Sequence, residues 1–519
     1  MAFLEWLIHE TSLHSLIDTG SRDIYIILVL RFLRMFAYGG AALVLGIFLY
    51  TSGNTGTQIG TFLSMTLLGD AGISYLLTVK ADKIGRRRVL GIGSLLMTTA
   101  GVVFAFTDNY YMLLIAAIVG VISPGAHEVG PFRAVQESIL AQLTPVEART
   151  DVYAWFAVMS QVGMAAGIFT TGWITHFLRN HYEWDWKDRR VYAVVFGFYA
   201  VVGFIKACVT LLLTSKCEPD ENARREADLV DRDATAPLLN DGYRRTRRRG
   251  ASGKATGAVL GIWRTITATL SPESRRILIR LCLLFSVNAF ASAMLPVTIM
   301  AWYAQWRYRW FILYRVGYAM GGIWLVASIA NLFSASVARR IGLVKAMVFT
   351  HLPSAVFLAF IPLAGDWKLM FILLLASSVF ASMDQAPRTA FVAAAFSSSE
   401  RTAVLGTINL VRTLASVGGP LVTGYFHDKK MWWAVFLLAA ALKILYDVGL
   451  LAMFLRTKLP EYDNGPREVT VTDVDIGILL SENFRRPSYD GLDVEGMDED
   501  DDGQARQDKP TVNRIESVI

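Results

Sequence analysis

The stretch TVKADKIGRRRVL, residues 78–90, sets Asp82, Gly85 and the cations Lys80, Lys83, Arg86, Arg87 and Arg88 between two long apolar runs. Those runs, near 59–79 and 89–106, approach the ~20 residues that a helix needs to cross the hydrocarbon of a bilayer. So dense a set of cations in so short a connection marks the edge of a membrane rather than a turn in a soluble domain. A second segment of the same kind, ARRIGLVK at 338–345, separates apolar runs near 310–336 and 346–364. Outward from these loops, the first half resolves into runs near 24–50, 59–79, 89–106, 111–140, 152–178 and 191–214. The second half gives runs near 276–302, 310–336, 346–364, 368–395, 403–426 and 431–455. A hydrophilic break at 215–275 parts the two sets, and a polar, acidic tail follows from 456. Composition agrees: 54% of the 519 residues are hydrophobic and mean hydropathy is +0.41. Charged residues make up 18%, against the ~25% usual in soluble domains.

The two halves look like copies. Span 4 ends in HEVGPFRAVQE and span 10 carries MDQAPRTA, so Glu128 with Pro131 and Arg133 corresponds to Asp384 with Pro387 and Arg388. Lys206 in span 6 and Lys443 in span 12 are similarly placed. The prediction is an all-α membrane protein of twelve transmembrane helices in two pseudo-symmetric six-helix bundles. Duplication of this kind is the mark of a transporter whose site lies between its halves.

Lys and Arg cluster in the even-numbered connections, whereas 51–58 and 107–110 contain none. The net charge of +6 is therefore a statement about topology, not about nucleic acid. The expected order is a cytoplasmic N-terminal segment at 1–22, a bundle at 23–214, a cytoplasmic disordered linker at 215–275, a bundle at 276–455, and a disordered acidic cytoplasmic tail at 456–519. Residues 1–22 lack the basic start and apolar centre of a cleavable signal peptide. Cys208, Cys282 and Cys217 form neither a disulfide framework nor a zinc spacing.

Segment 78–90 resembles the loop between helices 2 and 3 of the major facilitator superfamily, usually written GxLaDrxGRrxxl. Asp82, Lys83, Gly85, Arg86 and Arg87 match it, and Thr78 stands where the first Gly is usual. The resemblance covers 24–455, and the long loop and tail look like those of fungal members. It implies the two-bundle fold of that family and transport by alternating access. It also implies a gate, in which Asp82 and the arginines hold the cytoplasmic ends of the halves together, with Asp82 at the N-terminus of span 11 near Thr402. The residues alone allow a simpler role, in which the arginines only set topology. Family antiporters often carry a GPxxGG-type motif in span 5. Here the segment reads GMAAGIFTTG, Gly163 to Gly172, with Ile168 in place of Pro, and its small residues favour close helix packing.

Ionisable residues inside a membrane are costly and mark function by default. Asp70 sits about eleven residues into span 2, near mid-bilayer at ~1.5 Å per residue, with Arg34 and Arg31 approaching from span 1. It is the leading candidate for proton coupling, against a static pair that fixes spans 1 and 2. Glu128 and Asp384 are further coupling candidates. Arg133 and Arg388, with Glu137, read either as a substrate site for an anionic group or as a salt-bridge network with Arg86, Arg149 and Arg401. Gln161, Asn288, Asn409 and Arg412 are candidate cavity residues, since the family's cavity is lined mainly by helices 1, 4, 7 and 10 with 2, 5, 8 and 11 beside them. Lys443 and Asp447, four apart, are expected to neutralise each other, and His351 to be a packed histidine.

The predicted function is therefore a proton-coupled secondary transporter of a small solute. A nutrient sensor on the same fold is the second reading. No metal cluster, nucleophile motif or phosphate loop suggests an enzyme. Expected partners are the solute, protons and membrane lipid, with no cofactor, and the resemblance implies a monomer. The tail segment DIGILL, Asp475 to Leu480, looks like an acidic dileucine sorting signal, which leaves plasma and vacuolar membranes both open.

Overall fold

The computed structural model describes residues 21–120, 131–145, 148–184, 188–218, 272–308, 313–396 and 398–454, with isolated residues besides. Most of the N-terminal segment, the linker beyond 218 and the tail lie outside the described residues, as do Glu128 and the side chains of Asp82 and Lys83. Lipid offers no partner for a backbone N–H or C=O, so a spanning chain that is not a closed barrel must satisfy them along each helix. Among the described residues every regular element is helical.

The first half holds α1 (Arg22–Thr51), α2 (Gly56–Ile84), α3 (Arg86–Phe106), α4 (Tyr110–Val119), α5 (Pro131–Leu143), α6 (Arg149–Tyr182) and α7 (Arg189–Thr210). The second holds α8 (Pro272–Met294), α9 (Val297–Arg307), α10 (Leu313–Ile341), α11 (Leu343–Phe360), α12 (Trp367–Ser382), α13 (Gln385–Ala394), α14 (Ser398–Ser416), α15 (Gly418–Asp428) and α16 (Trp432–Phe454). Nine helical segments among the described residues are long and apolar enough to cross a membrane. The other expected spans correspond to α2, to α4 with α5, and to α14 with α15.

Spans 4, 7, 10 and 11 are each split, and local chemistry explains the cuts. Gly120 caps the C-terminus of α4, and Pro131 opens α5 at the position where a missing N–H costs nothing. Pro296 cannot continue the ladder of α8, and the Met294 carbonyl instead accepts the Thr423 hydroxyl of α15 at 2.7 Å. The two basic loops that began the sequence argument are conformational twins. Gly85 and Gly342 stand at the N-caps of α3 and α11 with φ of 105° and 87°, a region that favours glycine. The first turn of α3 carries arginines, the wrong sign for a helix N-terminus. Glu218, just past α7, supplies the missing anion by accepting the Arg86 N–H at 2.7 Å and the Arg87 N–H at 3.3 Å.

Within the halves, α1 packs on α6 and α7, α3 on α7, α8 on α14 and α16, and α11 on α16 and α12. Between the halves, α6 packs on α10, α2 on α15 and α1 on α9. The buried side chains show where the halves join. At the end bearing the basic loops there are two separate apolar clusters, one around Ile24, Phe132 and Phe156, the other around Leu278, Phe391 and Tyr446. At the opposite end one continuous cluster runs across both halves, from Leu43 and Phe48 of α1 to Ile299 and Trp302 of α9.

Glycine makes the joined end possible. A side chain at Gly60 of α2 would collide with the Pro420 carbonyl of α15, and one at Gly424 with the Gly56 carbonyl. Gly172 of α6 likewise lies against Gly317 of α10. The expectation that the small residues of span 5 serve close packing fits their surroundings, since Gly163 faces the Phe32 carbonyl of α1. Gly60→Val should therefore destabilise the purified protein by about 1–3 kcal/mol through overpacking. Gly91→Ala, with nothing within 4 Å of the added methyl, should leave the thermal midpoint unchanged or raise it. Paired melting curves in detergent check this, and equal midpoints for the two variants would remove the proposed constraint.

Candidate functional site

Between the halves, near mid-depth, lies a cavity of about 310 Å³. Its walls come from α2 and α6 on one side and from α8 to α12, α14 and α16 on the other, with Gln385 and Arg388 from α13 and Pro420 from α15. Of the sequence candidates, Asp70, Gln161, Asn288, Arg388, Asn409 and Arg412 all line it. Leu67, Met300, Ile323, Trp324 and Leu358 give it an apolar body.

The remaining candidates sit elsewhere. Arg31 donates to the Ser160 hydroxyl at 2.6 Å and lies 4.8 Å from the Phe156 ring, tying α1 to α6. Arg34 stacks 4.3 Å from the Phe132 ring of α5. Arg133 is exposed and pairs one turn along with Glu137 at 2.7 Å. None of the three is a lining residue. Arg86 donates to the Gln142 side chain at 2.7 Å, and that amide in turn donates to the Lys216 and Glu218 carbonyls, all within the first half.

In the second half the charges pair differently from the sequence expectation. Asp447 attracts Lys443 from one turn away, but its close contact is with another residue. Its carboxyl oxygens lie 2.9 and 3.0 Å from His351 Nδ1, and the two groups share a hydrogen bond whose donor depends on the imidazole tautomer. Asp447 and His351 are 0% and 3% exposed, so this is a dry contact between α16 and α11. Lys443, expected to neutralise Asp447, and His351, expected to be packed, also belong to the cavity lining. Asp384 is fully buried and pairs with Arg388 one turn on. No local motif announces the His351–Asp447 contact, because its partners stand 96 residues apart.

A two-bundle helical fold with a cavity between the halves, apolar in body and bearing a few charged groups, invites comparison with known transporters. The family model described as Major Facilitator Superfamily matches residues 27–314 and 281–489. The chain belongs to the major facilitator superfamily. The Saccharomyces cerevisiae protein named "Uncharacterized membrane protein YJR124C" is 32% identical over 449 residues, covering 84% of this chain and 95% of that one. Among solved structures, the inward open xylose transporter XylE from E. coli superposes with a TM-score of 0.61 at 13% identity, over 84% of this chain and 97% of that one. The nucleoside transporter NupG gives 0.60 at 13%, over 84% and 100%.

Segment 78–90 lies at the basic end of this chain. At the opposite end, the halves are held by a contact that the sequence reading did not find. Asp428, last residue of α15, caps the N-terminus of α2. One carboxylate oxygen accepts the Gly56 N–H at 2.7 Å, and the other accepts the Thr57 N–H at 2.8 Å and hydroxyl at 2.6 Å. Thr55 and Gln58 add a local capping box, and its T-x-x-Q spacing is the one part visible in sequence. A carboxylate from one half thus meets the orphan donors and positive dipole end of a helix in the other. Partial burial pushes the Asp428 carboxyl up, but the hydrogen bonds from Thr57 and Gly56 outweigh it and leave the group below its ordinary value. A lowered carboxyl contributes its stabilisation above the usual ~3.9, and loses it only as pH falls through the still lower value in the folded protein. The latch should therefore be constant between pH 5 and 8. Asp428→Ala should weaken it by roughly 0.5–2 kcal/mol, the range for loss of a helix cap. Spin labels at Tyr111 and Lys429 should report a broader, longer distance distribution in the variant at pH 7. An unchanged distribution would show that the cap does not hold the halves.

Proposed function

We propose that this chain is a secondary active transporter that carries a small solute by alternating access, with Asp70 as the proton-coupling group. The observation that carries the proposal is the placement of Asp70. It is buried on α2, in the first half, yet lines a cavity whose other ionisable residues, among those described, belong to the second half. Relative motion of the halves changes the charges that face this carboxyl, and a change of surroundings is what alters its hold on a proton. Membership of the superfamily supports transport, and the separate apolar clusters at the basic end support access to the cavity from that side. The positive-inside rule assigns that side to the cytoplasm. The joined opposite end then corresponds to the closed face.

Asp384 is the alternative coupling group, and its close pairing with Arg388 argues for a fixed structural role instead. The test uses purified full-length protein in vesicles loaded with a pH-sensitive dye and challenged with pooled small solutes. One pool should drive proton entry with the wild type. Asp70→Asn should abolish that proton flux while exchange of labelled solute at equal concentrations persists. Undiminished proton flux through Asp70→Asn would reject Asp70 as the coupling group. Failure of every pool to exchange or to move protons would reject transport itself.

A further inference from the structure

We infer that the cavity takes a small organic anion, a carboxylate or a phosphate monoester on an apolar body, with Arg412 and Lys443 holding the anionic group. The inference rests on the transport reading only in calling that anion a substrate. The charges on the cavity wall carry it. The ionisable lining residues are Asp70, His351, Arg388, Arg412 and Lys443. Arg388 is matched by Asp384, and His351 by Asp447. Neither Arg412 nor Lys443 makes a close ion pair or a hydrogen bond with any described residue, although the Asp447 carboxyl one turn along attracts Lys443. Asp447 stands one turn from Lys443 on α16, but both of its oxygens are engaged by His351. Among the described residues Asp70 is the single acidic lining residue, and it comes from the other half.

Two cations without a close partner in a largely apolar cavity are expensive to keep. An anion arriving beside either offsets that cost, and it is the one class of solute that does. A neutral solute leaves the cations as they are, and a cationic one adds repulsion. The guanidinium of Arg412 offers a planar fork that suits either a carboxylate or a phosphate, and Lys443 a compact charge on the same lining. Gln161 on the first-half wall, and Asn288 and Asn409 on the second, add neutral hydrogen-bonding groups. Trp324, Ile323, Met300 and Leu67 are suited to an apolar body. The volume of about 310 Å³ falls at the small end of the ~300–1,000 Å³ range for small-molecule pockets.

The test measures thermal unfolding of the purified full chain in detergent, without any gradient. The probes are 4-phenylbutyrate, phenyl phosphate, the neutral 4-phenylbutyramide and the cationic 4-phenylbutylamine. At least one anion should raise the melting midpoint in a saturable way, with the amide and amine ineffective at the same concentrations. The stronger of the two anions distinguishes carboxylate from phosphate monoester. Arg412→Gln and Lys443→Gln should each raise the half-saturating concentration by about 10- to 100-fold, as loss of a charged hydrogen bond predicts, and Arg412→Lys by less. Stabilisation by the amide or amine equal to that by the anions would overturn the inference. So would the absence of any effect from either anion, an outcome that needs no variant to fold. Anion binding without solute flux in vesicles would reject transport and leave this site intact. Flux of a neutral or cationic solute without anion binding would reject this site and leave transport intact.

Discussion

The structure depends on how closely two helix backbones can approach at one end of the molecule. Where α2 crosses α15, Gly56 and Gly60 face Pro420 and Gly424, and any side chain there would strike a carbonyl. Close approach gathers dispersion contacts that lipid cannot match, which is the main source of helix association in a membrane. It also sets the geometry of Asp428, which reaches the α2 N-terminus only because the two backbones are so near. Pro420 takes part twice over, since the interruption of span 11 ahead of it frees α15 to tilt against α2. The Thr423 hydroxyl, one turn on, satisfies the Met294 carbonyl left over from the break at Pro296. One crossing thus orders the breaks in spans 7 and 11, the cap on α2 and the apolar cluster that seals this end.

The basic end is built on the opposite logic. Among the described residues each half has its own apolar cluster there, and three polar contacts of the first half stay within it. Glu218 caps α3, Gln142 bridges Arg86 to the end of α7, and Asp23 of α1 accepts the Thr214 N–H at 3.0 Å. Ends that are finished internally can part without leaving unmet donors or acceptors. Separation at the opposite end must break a cap and expose a shared core.

Legibility in the sequence follows how local each signal is. The spans were legible because hydrophobic length is a property of a continuous run, and the basic loops because charge marks a membrane edge. The twin glycines Gly85 and Gly342 could be matched because each loop carries its own punctuation. Asp70 and the arginines of spans 10 and 11 stood out because a charge inside an apolar run is costly. Pairings were another matter. Lys443 and Asp447 looked matched at four residues' spacing, yet Asp447 turns to His351 on a different helix. The Asp428 cap joins positions 372 residues apart, and no periodicity encodes it. Helical spacing says which residues share a face, and only the packing of a third helix says which of them meet.

The duplication makes the remaining asymmetry informative. Lys206 and Lys443 are repeat mates, as are Arg133 and Arg388, so sequence symmetry alone would give both halves equal claims on a ligand. The structure separates them. Lys206 is buried 5.6 Å from the Phe132 ring, against which Arg34 also stacks, and Arg133 turns outward to Glu137. Their counterparts Lys443 and Arg388 face the cavity, joined by Arg412. In the first half the cations are absorbed by aromatic faces and exposed partners, and the ionisable lining group it contributes is the carboxyl of Asp70. A division of this kind gives relative motion of the halves an electrostatic consequence, because it moves one carboxyl against a fixed group of cations. Had the cavity charges been shared evenly between the halves, the same motion would leave each charge among its own partners and alter much less.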